Sequence, residues 1–270
     1  MPLDKRNKYS NLILMCRNHH KIIDSQEKFY TVEYLHEWKS DHENWVKSQL
    51  NYDAAKVRDD EQYAAYVEEW QRLAHVQEWD GWSSWLLSNG QPIIYKDIDS
   101  DLLKLRSWLL NRIWPGRYPK LEAAFKNFRY VLIDLQDTFH KHCEPIWSDA
   151  LTTKKFYKNG DYDDFDSEKY ALLSLKFEHH VDLVEDLTLE LTRAANLVCD
   201  EIRSHLIPNY RINEGHLFIL TGPDASLHWK QGVVAYSDEE RASSPPYPGL
   251  KAFMSARTDR DLNFGQGEPP

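Results

Sequence analysis

Residues 16–20, Cys16-Arg17-Asn18-His19-His20, place one thiol and two imidazoles within five positions. Thiolate and neutral imidazole are ligands for divalent ions, so this run can do metal chemistry. Other groupings of reactive side chains have plainer readings. His36-Glu37 and His42-Glu43 start like the H-E-x-x-H metalloprotease motif, but Ser40 and Val46 stand where the second His is required. His36 and His42 could complete a metal set from a following helix, though solvated helix-face positions account for them more simply. His140-Lys141-His142-Cys143 closes a helical pattern, where imidazole suits the negative end of the dipole. Glu178-His179-His180 falls within a long helical pattern, at solvated or core-edge positions. Asp161, Asp163, Asp164, Asp166 and Glu168 lack the glycine and the twelfth-position glutamate of a calcium loop. Trp79, Trp82 and Trp85 could stack bases, but their acidic surroundings favour burial. Gly222-Pro223-Asp224 reads as a turn.

The elements that must position these groups follow from periodicity. Residues 9–16 (YSNLILMC) read as a short strand entering a turn, and His19 to Asp24 as one or two helical turns. Thr31 is an N-cap residue for a helix to about Leu50. Helix continues over 55–78, with Tyr63, Val67, Trp70 and Leu73 at three- and four-residue spacing. An irregular connector is expected at 79–100, around Asn89-Gly90, and a further helix at 100–114. Two long helices should form the core: 119–142 on the stripe Leu121, Phe125, Phe128, Leu132, Leu135 and Phe139, and 167–206 on a matching stripe. Period-two patterning at 216–220 and 232–236 predicts a hairpin. From Asp238 the sequence is loop-like.

The stretch from Ser10 to Asp24 resembles the HNH endonuclease family: an Asn, a short apolar strand, then Cys-x-x-His-His opening a helix. Tyr30-Thr31-Val32, Leu35, Lys39 and His42-Glu43 resemble the tail found on many bacterial HNH fingers. The resemblance spans residues 9–46. It implies a ββα-metal finger in which His20 holds a Mg2+ or Mn2+ ion that stabilises charge on the scissile phosphate. It implies that Asn11 braces the loop that orients the general base. Cys16 and His19 correspond to half of a structural Zn2+ site that takes four ligands. The family's general base is a His on a strand upstream of the Asn. Residues 1–8 contain no His, and no second Cys pair precedes Asn11. The resemblance therefore implies only the second half of a finger, with cutting impaired because general-base help is worth roughly 10²–10⁴-fold. An upstream extension of the gene, a trimmed chain and a remnant kept for another purpose all fit that pattern.

Composition bounds the alternatives. The 270 residues are 41% apolar and 28% charged, with 10 Trp, 15 Tyr and 10 Phe against only 10 Gly. This is a globular, helix-leaning balance. The net charge of −10 is not that of a general nucleic-acid binder. It is unevenly spread: residues 1–50 hold eight Lys/Arg against seven Asp/Glu, and the remainder 25 against 36. DNA contact, if made, belongs to the front end. No apolar stretch is long enough to span a membrane, no signal sequence follows the first residues, and three scattered cysteines do not form a disulfide framework. A cytoplasmic protein is expected. The sequence thus predicts a mainly α chain in three parts. A finger fragment occupies 1–50, a helical domain ending in a hairpin 51–237, and a loop-like tail 238–270. The functional expectation is a relative of bacterial restriction or phage-defence nucleases. The alternative is a non-catalytic helical protein that binds a partner or dimerises through its long helices.

Overall fold

A computed structural model describes residues 8–49, 53–87, 90–158, 166–223, 226–259 and 263–265. Asn89, Asp161, Asp163, Asp164 and Asp224, singled out above, lie outside the described residues. The chain is mainly helical and divides into two compact units, 1–58 and 59–270.

In the first unit, a 3-10 turn at Tyr9–Asn11 leads through extended residues into α1 (Arg17–Ser25), and α2 follows at Val32–Gln49. Thr31 caps α2, its Oγ1 accepting from Tyr34 N at 3.3 Å. The strand expected over 9–16 does not form. An extended segment becomes a strand only when a neighbour pairs its backbone groups, and none does so among the described residues. Lys39 of α2 substitutes in part. Its ammonium donates to Leu12 O at 2.8 Å and to Tyr9 O, and sits 4.0 Å from the Tyr9 ring centroid. Leu12 and Leu14 remain exposed.

The helix α3 (Ala54–Leu73) begins in the first unit and continues into the second, where Tyr63, Val67, Trp70 and Leu73 are buried. Trp70 meets Phe125 and Phe128 edge-on, with centroids 5.8 and 5.7 Å away. These two rings belong to α6 (Pro119–His140), which lies along α7 (Ser167–His205). Tyr118, at the start of α6, stacks on His205 at the end of α7, and His142, just past α6, meets His180. The two long helices therefore run antiparallel, as their matched stripes predict, and centre the core.

The connector expected at 79–100 is ordered instead. Its residues form α4 (Trp79–Leu86), β1 (Ile93–Tyr95) and the start of α5 (Lys96–Leu110). Trp79 and Trp82 are buried, while Trp85 is exposed and packs edge-on against Tyr95 and Trp147. β1 pairs antiparallel with β3 (Ala150–Thr153), Ile94 opposite Leu151. β3 also pairs with β2 (Cys143–Pro145), giving the order β1-β3-β2 with Pro145 on an outer strand, where a missing N–H is tolerated. The predicted hairpin exists as β4 (Phe218–Thr221) and β5 (Lys230–Val233), Phe218 opposite Val233. Asn196 of α7 secures it, accepting from Leu217 N and donating to the Leu217 and Val234 carbonyls, each at 2.9 Å.

After Asp238 the expectation of loop gives way to α8 (Asp238–Ala242) and α9 (Leu250–Ala256). Ser237 and Glu240 form a capping box at α8. Tyr247 and Phe253 are buried in the core, and Tyr247 donates to Asp134 at 2.7 Å. These aromatics, widely spaced among turn residues, carry no periodic signal, yet they bind this segment to α6.

Candidate functional site: the Asn11–His20 cavity

The site is built by the turn from an extended segment into α1. Cys16 is the N-cap residue of α1, so His19 and His20 occupy its first turn. Backbone N–H groups there have no intrahelical partner and favour negative charge. The Cys16 thiol is accordingly shifted down to about 7, by the His19 backbone N–H first, then the His19 ring, then the Asn18 N–H. Cys16 Sγ and His19 Nδ1 are 3.1 Å apart, and both residues are exposed.

His20 is one residue further round the helix and faces a different neighbour. Its Nδ1 lies 2.9 Å from Asp24 Oδ2, one turn along, so the imidazole donates to that carboxylate. Its Nε2 has no protein partner among the described residues. A carboxylate fixing one ring nitrogen and leaving the other open is the usual setting of a metal-binding histidine. His20 and Asn11 line one cavity of about 380 Å3, together with Asp24, Ile23, Leu35 and His36. A second hollow of about 650 Å3 is bordered by Cys16, His19, Trp38, Lys39, His42 and Glu43.

The residues proposed from sequence are thus brought together in two pairs: Asn11 with His20, and Cys16 with His19. Two neighbours belong to the arrangement without having been assigned a part. Asp24 orients His20, and its i,i+4 spacing from His20 was the available signal. Lys39 holds the entry segment against α2 and lies 3.6 Å from Glu43, which also accepts from Tyr9 OH at 2.8 Å. His42 borders the Cys16 hollow but stacks on Trp45.

The fit to metal differs between the pairs. His20, steadied by Asp24, suits one ligand position of a divalent ion that keeps its other positions for water and phosphate. Cys16 and His19 supply two zinc ligands, and no group of three or more His, Cys, Asp or Glu close enough to hold a metal exists among the described residues. The described residues do not form a full zinc site. The remaining clusters have structural partners: His140 Nε2 lies 3.0 Å from Asp99 Oδ1, which raises its pKa, and His75 Nε2 lies 3.0 Å from Asp101 Oδ2. No helix among the described residues is long and apolar enough to cross a membrane. No protein-family description, curated protein or solved structure matches the chain.

Proposed function

We propose that residues 9–46 are the metal- and phosphate-binding half of an HNH-type nuclease finger, and that the helical body engages a partner or trigger, as in restriction or phage-defence systems. The observation that carries this reading is the shared cavity of Asn11 and His20, with Asp24 fixing the His20 ring. A Mg2+ or Mn2+ ion bound there would stabilise charge on a scissile phosphate. His20 would hold that ion, and Asn11 would brace the entry segment. Arg17 and Lys21, exposed one turn apart on α1, would contact neighbouring phosphates. No histidine lies upstream of Asn11, so these residues do not themselves supply the family's general base, and cutting by the 270 residues is expected to be weak.

A second reading is a non-catalytic protein that binds a partner or a second copy through its long helices. One observation favours it: Tyr170, Leu172 and Leu175 are exposed on the first turns of α7. Fluorescence anisotropy of duplex DNA with the full chain separates the two. The nuclease reading expects binding at least tenfold tighter with Mn2+ than with EDTA, and expects His20→Ala to abolish that difference. DNA binding that is absent, or indifferent to both the metal and His20→Ala, would favour the second reading. Plasmid nicking in Mn2+ should be slight. Robust nicking that survives His20→Ala would contradict the assignment of His20.

A further inference from the structure

A cavity of about 680 Å3 lies in the helical body, lined in part by His142, His179 and His180 and sharing no residue with the N-terminal site. It is bounded by the last turn of α6, by α7, by the 3-10 turn at Phe156–Lys158 and by α9. Its volume falls within the range of small-molecule sites, roughly 300–1,000 Å3. Phe156, Leu183 and Met254 give it an apolar wall.

Its lining combines a buried unpartnered nitrogen with cationic side chains. His180 is only 7% exposed, and its Nε2 has no hydrogen-bond partner. A buried polar nitrogen without a partner is costly, and a ligand acceptor in the cavity would satisfy it. Lys141 and Lys176 border the same cavity, are exposed and form no ion pair among the described residues. His142 meets the His180 ring edge-on, with centroids 4.9 Å apart, and His179 lies beside it. The acidic side chain of the lining, Asp137, is already held by Arg106 at 2.8 Å. Thus a body carrying a large acidic excess places Lys141, Lys176 and the unpartnered His180 nitrogen around one apolar hollow.

We propose that this cavity binds a small amphiphilic anion, a carboxylate or phosphate head on a hydrocarbon or aromatic body. The head takes a hydrogen bond from His180 Nε2–H and charge from Lys141 and Lys176, and the body packs on Phe156, Leu183 and Met254. Burial, followed by the neighbouring His142, Lys141 and His179 charges, pushes His180 down to about 4. His142 is also lowered, by burial and by Lys141. An anion among these groups offsets that repulsion.

Isothermal titration of the full chain with octanoate, phenyl phosphate and uncharged octanol tests this. The expected result is one site for at least one anion, with octanol at least tenfold weaker. The surface pair Lys141→Gln and Lys176→Gln should weaken anion binding at least tenfold with the melting temperature unchanged. Met254→Trp, which fills the hollow, should weaken it as well. Preference for one anion over the other identifies the head group. Absence of binding by both anions at millimolar concentration, octanol binding as tightly as octanoate, or full affinity in the double lysine variant would each overturn the proposal.

Discussion

Cys16 Sγ lies 3.1 Å from His19 Nδ1 at the exposed N-terminus of α1, while the other two cysteines sit in surroundings that suppress the thiolate. Burial pushes Cys143 upward and Cys199 up to about 12, whereas Cys16 is drawn down to about 7. The thiolate is the reacting species. Iodoacetamide at pH 7.5 should therefore label Cys16 alone, at a rate that rises through pH 7. His19→Ala keeps the backbone N–H contributions and loses the ring's, so the midpoint should move part of the way toward 9. Mass mapping of the alkylated peptides reads both effects, and first labelling at Cys143 would contradict the assignment.

Asp186 and Arg257 form an ion pair at 2.9 Å, with side chains 2% and 0% exposed. Asp186 also accepts from Phe264 N at 2.6 Å, so the pair ties the C-terminal segment to α7. Removing one partner of a sealed pair leaves an uncompensated charge, at a cost of about 3–5 kcal/mol. Arg257→Ala should destabilise the chain by that order at pH 8. Burial raises Asp186 to about 6 despite Arg257, so the loss should shrink at pH 5, where the carboxyl is protonated. Denaturant melts at the two pH values check this, and equal losses would contradict it.

Glu185, only 5% exposed, is pushed up to about 8 by burial and then by the nearby Asp182 and Asp186. Its folded pKa exceeds the unfolded value of 4.5. The favourable contribution is therefore full below about pH 4.5 and is lost as pH rises through 8. Stability should decline across that window. Glu185→Gln should remove most of the slope and stabilise the chain at pH 9 by a few kcal/mol, at about 1.4 kcal/mol per pKa unit. Asp186 leaves a smaller decline of the same sign around pH 6. A wild-type stability that increases from pH 5 to 8 would contradict this.

The long elements were legible because each carries its own pattern. The stripe from Leu121 to Phe139 and its partner on 167–206 marked two helices and their packing before any contact was known. Ile93–Tyr95, Cys143–Pro145 and Ala150–Thr153 were not legible. Strands of three or four residues hold too few side chains to show alternation, and their pairing joins positions distant in sequence. The opposite error occurred at 9–16, where Leu12, Ile13 and Leu14 have strand-like composition but gain no pairing strand among the described residues. The candidate residues of the N-terminal unit, Asn11, Cys16, His19 and His20, stand out in the sequence by type and spacing, whereas Asp24's hold on His20 emerged only with helical geometry. The His180 cavity had no sequence signal, since its wall comes from four separated elements and its His-His pair resembled an ordinary core-edge dipeptide.

The central claim is that His20 is a ligand for a divalent ion. Electron paramagnetic resonance of Mn2+ titrated into the full chain, with detection of coupled imidazole nitrogen, tests it directly. The account predicts one bound ion showing nitrogen coupling. Both should be lost in His20→Ala and weakened about 10–100-fold in Asp24→Ala, as is typical when a supporting hydrogen bond to a ligand is removed. Asp99→Ala, which alters the unrelated His140 pair, should leave the signal unchanged. Mn2+ binding that persists undiminished in His20→Ala, or no binding at millimolar metal, would contradict the account.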